Sequence, residues 1–246
     1  MSTSATTFIP EPGHASSEHG HHEHKQSFFS KYIWSLDHKM IGLQYLWTSF
    51  FFLLLGGLLA MGIRFQLAYP GMQVPLIGAL LPSTIAIDGV ILPGGYNMLF
   101  TMHATVMVFL VVMPLLIGGF GNYLIPLKIG AGDMAFPTLN AMSYWLYVLS
   151  GIIILASFFV DGGAAQSGWT AYAPLSSTPA YMNNTQIGQS LWCVGLFING
   201  LSSIAGATNY ITTITNMRAP GMTMFRLPLS VWALFLTAWL LILAVP

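Results

Sequence analysis

The chain has 246 residues, of which 55% are hydrophobic and only 6% are charged, and its mean hydropathy is +0.70. This composition excludes an ordinary water-soluble domain and predicts an integral membrane protein. The formal net charge is zero, which gives no reason to expect nucleic acid as a partner. The single cysteine, Cys193, cannot form an internal disulfide.

Residues 1 to about 30 are polar and rich in histidine, and they contain no long apolar run. They therefore predict a disordered tail and neither a secretory signal nor a membrane span. The segment HASSEHGHHEHK has histidines that bind Zn²⁺ or Cu²⁺ in other contexts, but its irregular spacing favours a solvated tail.

Five apolar stretches follow the tail, and each is uncharged except at its ends. Most exceed the roughly 20 residues that a perpendicular membrane span requires, so the helices are expected to tilt. Glycine and proline inside them are ordinary where helices pack closely in lipid. The sequence predicts an all-α transmembrane helix bundle with helices at about 41–65, 96–124, 139–160, 188–214 and 229–246.

The basic residues predict the orientation of this bundle. If the N-terminus is cytoplasmic, six of the seven lysines and arginines lie on the cytoplasmic side, as the positive-inside rule expects, and only Arg64 lies outside. The six are Lys25, Lys31, Lys39, Lys128, Arg218 and Arg226. The loops 66–95 and 161–187 are then expected on the outer surface as structured coil.

A histidine lies inside the second apolar stretch. His103 belongs to the uncharged run from Met98 to Ile117, where an imidazole must bond another helix, line a wet cavity or hold a metal. Its expected depth is about 10 Å from the outer surface, and Arg64 ends the first predicted helix at a comparable level. This pair suggests a pocket for a group that carries both a metal and an anionic or carbonyl group, which a haem with propionates would satisfy, although a packing histidine and a snorkelling arginine stay open as alternatives.

A second polar group is expected on the inner side, where Asp133 lies in the loop GAGD between the second and third predicted helices. On the fourth predicted helix, a stripe of small polar residues follows one face. Such a stripe forms either a helix-packing seam or a conduit for water, and both interpretations stay open. The other members of the group are Asn122, Asn140 and Ser143, and the stripe is Asn199, Ser202, Ser203, Gly206 and Asn209.

Several segments from about Trp34 to Pro246 together resemble subunit I of the haem-copper cytochrome c oxidases. Their order and spacing match the family across all five predicted helices, and the pattern is too specific to arise from hydrophobic composition. They are DHK (37–39) with Ile41 and Gly42, YNMLFTMHATVMVF (96–109), GGFGNYLIPLKIGAGDMAFPTLN (118–140), SYW (143–145), GWTAYAPLS (168–176) and SSIAGATNYITTITNMR (202–218).

The resemblance implies roles for three residues in the outer half of the membrane. His103 matches one of two axial ligands of the iron of a low-spin haem, which would be haem a. Arg64 matches the arginine that bonds the formyl group of this haem, and Trp169 matches a tryptophan in the haem-propionate region. Contacts of this kind around a metal ligand tune its redox potential.

On the inner side, the resemblance implies the D proton pathway of the family. Asp133 matches the mouth of this pathway. The implied amide ring is Asn122, Asn140 and Asn209, and the implied water partners higher up are Ser143, Ser202 and Ser203.

Family members have about twelve spans, so the chain would be the N-terminal part of a twelve-helix fold. The later helices are expected to supply the high-spin haem, the copper ion CuB and the partner imidazole of His103. Because the sequence stops at Pro246 inside the fifth predicted helix, we expect the remainder of subunit I in the same polypeptide or in a second chain from a split gene. The expected location is the bacterial cytoplasmic membrane, with a cytoplasmic N-terminus.

The implied function is a proton-pumping terminal oxidase that takes electrons from cytochrome c and reduces O₂ to water. Its expected partners include subunit II, which carries CuA, and subunit III. Leu55, Leu59 and Gly95 stand where quinol-oxidising relatives have ionisable residues or histidine, which favours cytochrome c as donor. A ubiquinol oxidase of the same superfamily and a non-catalytic haem-binding membrane protein stay as alternatives. Gln66 replaces a glutamate of the family's outer cation site, which argues against that site here.

Overall fold

The computed structural model of the protein describes residues 28–75, 78, 83, 85–177 and 186–245. Residues 1–27 of the predicted disordered tail therefore lie outside the described residues. Its last three positions belong to a short helix, α1, Phe28–Tyr32. The side-chain amide of Gln44 donates to the carbonyl oxygens of Tyr32 and Ile33, which fastens the end of α1 to the first long helix.

The first long helix, α2, covers His38–Ala68 and has 31 residues. Asp37 caps its N-terminus, because its carboxylate accepts a hydrogen bond from the Lys39 backbone N–H at 2.7 Å. This cap explains why the helix begins three residues before the predicted position 41. At the other end the helix continues past Arg64, so this arginine lies within the last turns and does not end the helix.

The second span is one helical rod, Pro93–Ile129, but it is not a regular α-helix throughout. It consists of α3 (Pro93–Thr105), two π-helical segments (Val106–Val112 and Pro114–Gly121) and α4 (Asn122–Ile129). Pro114 has no backbone N–H to donate, which interrupts regular α-helical bonding at this point. The rod ends at Gly130, whose φ of +74° is the left-handed conformation that glycine adopts at helix ends.

Three further helices follow, so the predicted count of five apolar helices is confirmed in the part of the chain that the structure describes. Four of the described helical segments are long and apolar enough to cross a membrane, namely α2, the second span, Pro137–Phe159 and Gln186–Asn216. The fifth is apolar but shorter, with 16 residues. The three helices are α5 (Pro137–Ala156, extended by a 3₁₀ turn to Phe159), α6 (Gln186–Asn216) and α7 (Leu229–Ala244).

Small residues allow the helices to approach closely. A Cβ added to Gly42 of α2 would lie 3.0 Å from the Gly119 carbonyl oxygen of the second span. One buried cluster, which includes Tyr45, Met102 and Tyr147, joins α2, the second span and α5. Another joins the C-terminal end of the second span to α6 and α7. The close packing expected of membrane helices is therefore present.

The loop between α2 and the second span contains a β-hairpin, although the sequence predicts only structured coil for residues 66–95. Strands β1 (Ala86–Ile87) and β2 (Val90–Ile91) pair antiparallel. Asp88 and Gly89, both with positive φ, form the two-residue turn between them. This hairpin leads directly into Pro93, where α3 begins.

Candidate functional site

His103 is half-buried on α3 and faces α2. Its Nδ1 lies 2.9 Å from the carbonyl oxygen of Gly56. Because a carbonyl oxygen only accepts, Nδ1 carries the hydrogen in this contact, and Nε2 is then the nitrogen with a free lone pair. Nε2 has no hydrogen-bond partner within the described residues. A neutral imidazole held by a backbone carbonyl in this way is the usual arrangement of a metal-binding histidine.

The close approach of the two helices makes this hydrogen bond possible. Gly56 is buried, and a Cβ added there would lie only 2.7 Å from the Met107 sulfur of the second span. A larger residue would therefore displace the Met107 side chain from the interface between α2 and the helix that carries His103. The glycine acts here through its carbonyl and through its lack of a side chain.

The other two predicted outer residues lie on neighbouring elements. Arg64 is exposed on α2, two turns beyond Gly56. Trp169 is 44% exposed, and its ring centroid lies 6.0 Å from that of Phe109 on the second span. Among the described residues, Arg64, His103 and Trp169 do not hydrogen-bond to one another, although each lies on or beside α2 or the second span. An imidazole nitrogen, a guanidinium and an indole are a donor set that fits a haem with its polar substituents.

A cavity of about 40 Å³, lined by both polar and apolar side chains, lies between α2, the second span, α5 and α6, with Leu241 of α7 also at its wall. This volume is enough for roughly two or three water molecules. Its lining includes two residues of the predicted inner group, four residues of the α6 stripe and two tyrosines. They are Asn122, Ser143, Asn199, Ser202, Ser203, Gly206, Tyr45 and Tyr210.

Hydrogen bonds order the serines of this cavity. Ser143 donates to the Asn140 carbonyl oxygen at 2.7 Å, and its Oγ lies 3.0 Å from the Tyr45 hydroxyl, which is therefore the donor in that contact. Ser202 donates to the Ser143 carbonyl oxygen at 2.6 Å. The α6 stripe thus serves as a packing seam against α5 and also lines the cavity.

Two of the predicted amides have buried polar atoms without partners. The Asn122 side chain donates to the Gly118 carbonyl oxygen at 2.8 Å, but its Oδ1 has no partner in the described part of the chain. Asn140 is fully buried, and neither its Oδ1 nor its Nδ2 is paired among the residues described. Buried amide atoms almost always find a partner, and ordered water is the usual one in such positions.

The third predicted amide, Asn209, bonds the backbone of a loop. Asn209 of α6 accepts from the Phe136 backbone N–H at 2.9 Å and donates to the Phe136 carbonyl oxygen at 3.2 Å. One turn further along α6, Thr213 accepts from the Ala135 backbone N–H at 3.0 Å. These two side chains fasten the loop before α5, so the Asn209 amide is occupied by backbone and does not line the cavity.

Asp133 lies in the same loop, as predicted, and is half-buried. Its Oδ1 accepts from the Met134 backbone N–H at 2.7 Å. The loop connects α4 to α5, and Asn140 follows in the first turns of α5. Asp133 itself does not line the cavity. Asn122 and Asn140 are the buried amides nearest to it in the chain.

Comparisons with known proteins agree with the resemblance seen in the sequence. Residues 40–246 match the family model described as Cytochrome C and Quinol oxidase polypeptide I. The chain belongs to this family. Its membership, together with the long apolar helices, makes the chain an integral membrane protein.

Two curated relatives illustrate the match. The chain is 45% identical over 210 residues to the putative cytochrome c oxidase subunit 1-beta of Streptomyces coelicolor, covering 85% of this chain and 33% of that protein. It is 43% identical over 225 residues to the probable cytochrome c oxidase subunit 1-beta of Nocardia farcinica, covering 92% of this chain and 35% of the relative. The chain therefore spans about a third of the length of the relatives it matches.

Three polar residues at or near the cavity were not predicted as site residues from the sequence. His38 is 2% exposed, and its Nδ1 lies 2.9 Å from the Asn122 carbonyl oxygen. Tyr210 donates to the Ile117 carbonyl oxygen at 2.6 Å, and Tyr45 and Tyr210 both line the cavity. A tyrosine within an apolar stretch carries a hydroxyl that needs a partner, which is the signal that points to these two residues.

Proposed function

We propose that this chain is the N-terminal part of the core subunit of a terminal respiratory oxidase in the bacterial cytoplasmic membrane. The complete subunit takes electrons from cytochrome c and reduces O₂ to water, and it pumps protons. The remainder of subunit I supplies the sites for the high-spin haem and CuB, and subunit II carries CuA. The observation that carries this proposal is the pairing of His103 with the Gly56 carbonyl, together with a cavity lined by amide and hydroxyl side chains elsewhere in the same bundle.

In this proposal, three side chains hold and tune a low-spin haem, which when bound supplies one-electron transfer. His103 would offer Nε2 to the iron, and the hydrogen bond to Gly56 fixes the ring orientation and raises its basicity. Arg64 would donate to the formyl group, and Trp169 would donate to the propionate region. Because charged and polar donors at the edge of a haem withdraw electron density, these contacts would raise its reduction potential.

Proton uptake in this proposal begins at Asp133 on the cytoplasmic side. The half-buried carboxylate exchanges protons with bulk water, and the unpaired amide atoms of Asn122 and Asn140 hold the first ordered waters. The hydroxyls of Tyr45 and Ser143 then continue the hydrogen-bonded chain into the cavity. Asn209 contributes by fixing the loop that carries Asp133.

The choice of cytochrome c over quinol rests on the outer half of α2 and the start of α3. Leu55 and Leu59 are partly buried in the apolar clusters of the bundle. Gly95 packs directly against the backbone of Ile85. These positions present no polar group to a quinol head. Oxygen consumption by the purified complex with reduced cytochrome c, and its absence with ubiquinol, tests this choice, and a complex that consumes no oxygen with either donor would favour the non-catalytic alternative.

The test of the proton pathway is Asp133→Asn in the intact oxidase. The amide keeps the shape but cannot release a proton, so turnover and proton uptake are expected to fall roughly tenfold or more, with loss of pumping. The visible band of the low-spin haem is expected to stay unchanged. Asp161→Asn removes an exposed carboxylate from the opposite loop and is the matched control, with turnover close to the parent enzyme. Normal proton uptake in Asp133→Asn would contradict the assignment.

A further inference from the structure

The loop that precedes Trp169 is buried, which is unusual for a loop. Residues 163–167 are all buried, whereas Trp169 and Thr170 are exposed. Connecting segments normally run over the surface, because their backbone polar groups need partners. A buried loop between α5 and α6 must therefore be held by specific hydrogen bonds. These bonds also restrict the position of Trp169, which follows the buried segment.

Two side chains from neighbouring helices fasten this loop. The hydroxyl oxygen of Thr101, on α3, accepts from the Gly168 backbone N–H at 2.9 Å. Ser167 donates to the side-chain oxygen of Gln189, on α6, at 3.0 Å. Gly168 has a φ of +76°, a left-handed conformation that suits glycine, and the chain turns there to project Trp169.

Thr101 belongs to a short ladder of buried hydrogen bonds along α3. Thr105 donates from its hydroxyl to the Thr101 carbonyl oxygen at 2.8 Å, and its oxygen accepts from the Trp192 indole N–H at 2.9 Å. Both threonines are fully buried. His103 lies between them in the chain, two residues from each, so it points to the other side of the same helical turn.

We infer that Thr101 is a positioning residue for Trp169. Its hydroxyl ties the backbone next to the indole to the helical turn that presents His103, and the ring then lies beside Phe109 on the same span. One side-chain hydrogen bond, from the Gly168 N–H to Thr101, thereby links the backbone beside the indole to the helix that carries His103. The effect of Thr101 on a haem rests on the proposed function of His103 and Trp169, but the positioning itself does not.

The experiment compares variants of the intact oxidase complex. Thr101→Val keeps the side-chain shape and removes the acceptor, whereas Thr101→Ser keeps the acceptor. Thr105→Val is the matched control, because it breaks the bond to Trp192 but leaves the bond from Gly168 to the Thr101 side chain. If Thr101→Val does not assemble, Thr101→Ala removes the same acceptor with a smaller side chain.

The first readout is the ultraviolet resonance Raman signal of Trp169, isolated as the difference between the parent and Trp169→Phe. This signal is expected to shift in Thr101→Val and to return to the parent position in Thr101→Ser, with no shift in Thr105→Val. Amide exchange at Gly168 is expected to accelerate about tenfold or more in Thr101→Val. An unchanged indole signal and unchanged exchange in Thr101→Val would overturn the inference.

The second readout is the midpoint potential of the low-spin haem. Thr101→Val is expected to shift it in the same direction as Trp169→Phe, and to add nothing in the Trp169→Phe background. If both single variants shift the potential and their effects add fully, Thr101 acts by another route and the inference fails. If Trp169→Phe leaves the potential unchanged, the proposed role of Trp169 fails, and the indole signal still decides whether Thr101 positions the ring.

Discussion

His103 and His38 make the same contact at different places in the bundle. Each places Nδ1 at 2.9 Å from a backbone carbonyl oxygen, Gly56 for His103 and Asn122 for His38. His38 lies at the first position of α2, near the membrane surface, whereas His103 lies within the uncharged second span. His103 therefore already has the partner on another helix that an imidazole in lipid needs, and its Nε2 is the atom that we propose to bind the haem iron.

This difference predicts the effects of removing each ring. His103→Ala is expected to eliminate the visible band of the low-spin haem and to lower the yield of assembled complex, because the iron loses an axial ligand. His38→Ala is expected to keep that band and to destabilise the contact between α2 and Asn122 by about 1–3 kcal/mol. The visible spectrum and thermal unfolding of the two complexes measure this. A normal low-spin band in His103→Ala would refute the ligand assignment.

At the residue scale, the sequence predicts which polar groups lie inside the bundle better than which partners they take. Ser143, Ser202 and Asn122 do lie at one cavity, because helical spacing determines which residues share a face. Asn209 shares the face of the stripe but bonds the backbone of Phe136. Its partner belongs to an irregular loop, and no periodic pattern reports where the backbone of such a loop lies.

The second span illustrates the same limit at the scale of one element. The sequence predicts a continuous apolar helix, and the rod is continuous, but its π-helical segments leave no periodic signal. The widened turns present carbonyl oxygens to neighbouring helices: Tyr147 donates to Leu110 at 2.8 Å, and Tyr210 donates to Ile117 at 2.6 Å. Tertiary hydrogen bonds of this kind depend on partners from α5 and α6, so local sequence alone does not specify them.

The Tyr210 hydroxyl is therefore expected to stabilise the π-helical segment. Tyr210→Phe leaves the Ile117 carbonyl oxygen buried without its donor, which is expected to cost about 1–3 kcal/mol of stability. Because the hydroxyl also lines the cavity, proton uptake is expected to slow. Tyr172→Phe, at a residue that is 75% exposed, is the control and is expected to change neither quantity. Equal thermal stability of the two variants would argue against a structural role for the Tyr210 hydroxyl.

Two glycines test how closely the helices must pack. A Cβ added to Gly118 would lie 2.6 Å from the ring of Tyr45, so Gly118→Ala is expected to destabilise the bundle by about 1–3 kcal/mol. A Cβ added to Gly57 of α2 meets no described atom within 4 Å. Gly57→Ala is therefore expected to be neutral, or to stabilise α2 by about 0.5–1 kcal/mol. Unfolding of the two variants in detergent, monitored by circular dichroism, measures the difference, and equal effects would contradict the close contact.

At the scale of the whole molecule, the five-helix bundle follows from the sequence because lipid imposes a simple rule. Every backbone group in the membrane must be paired, so a long apolar stretch can only be a helix. Most helix ends lie two to five residues beyond the predicted bounds, because capping residues such as Asp37 and Gly130 lie beyond the apolar run. The β1–β2 hairpin lies outside this rule, since water competes for its backbone and turn chemistry decides its shape.

The orientation of the bundle provides the last prediction. Six basic residues on one side and Arg64 on the other favour a cytoplasmic N-terminus, because lysine and arginine in short loops oppose translocation. Single cysteines at two exposed positions test this in the assembled oxidase, after Cys193→Ser removes the native thiol. Asp161→Cys is expected to react with a membrane-impermeant maleimide in intact spheroplasts, and Thr215→Cys is expected to react only in inverted vesicles. Asp161 follows the end of α5 and Thr215 lies in the last turn of α6, at the opposite end of the bundle. The reverse labelling pattern would therefore invert the topology and with it the direction of proton uptake from Asp133.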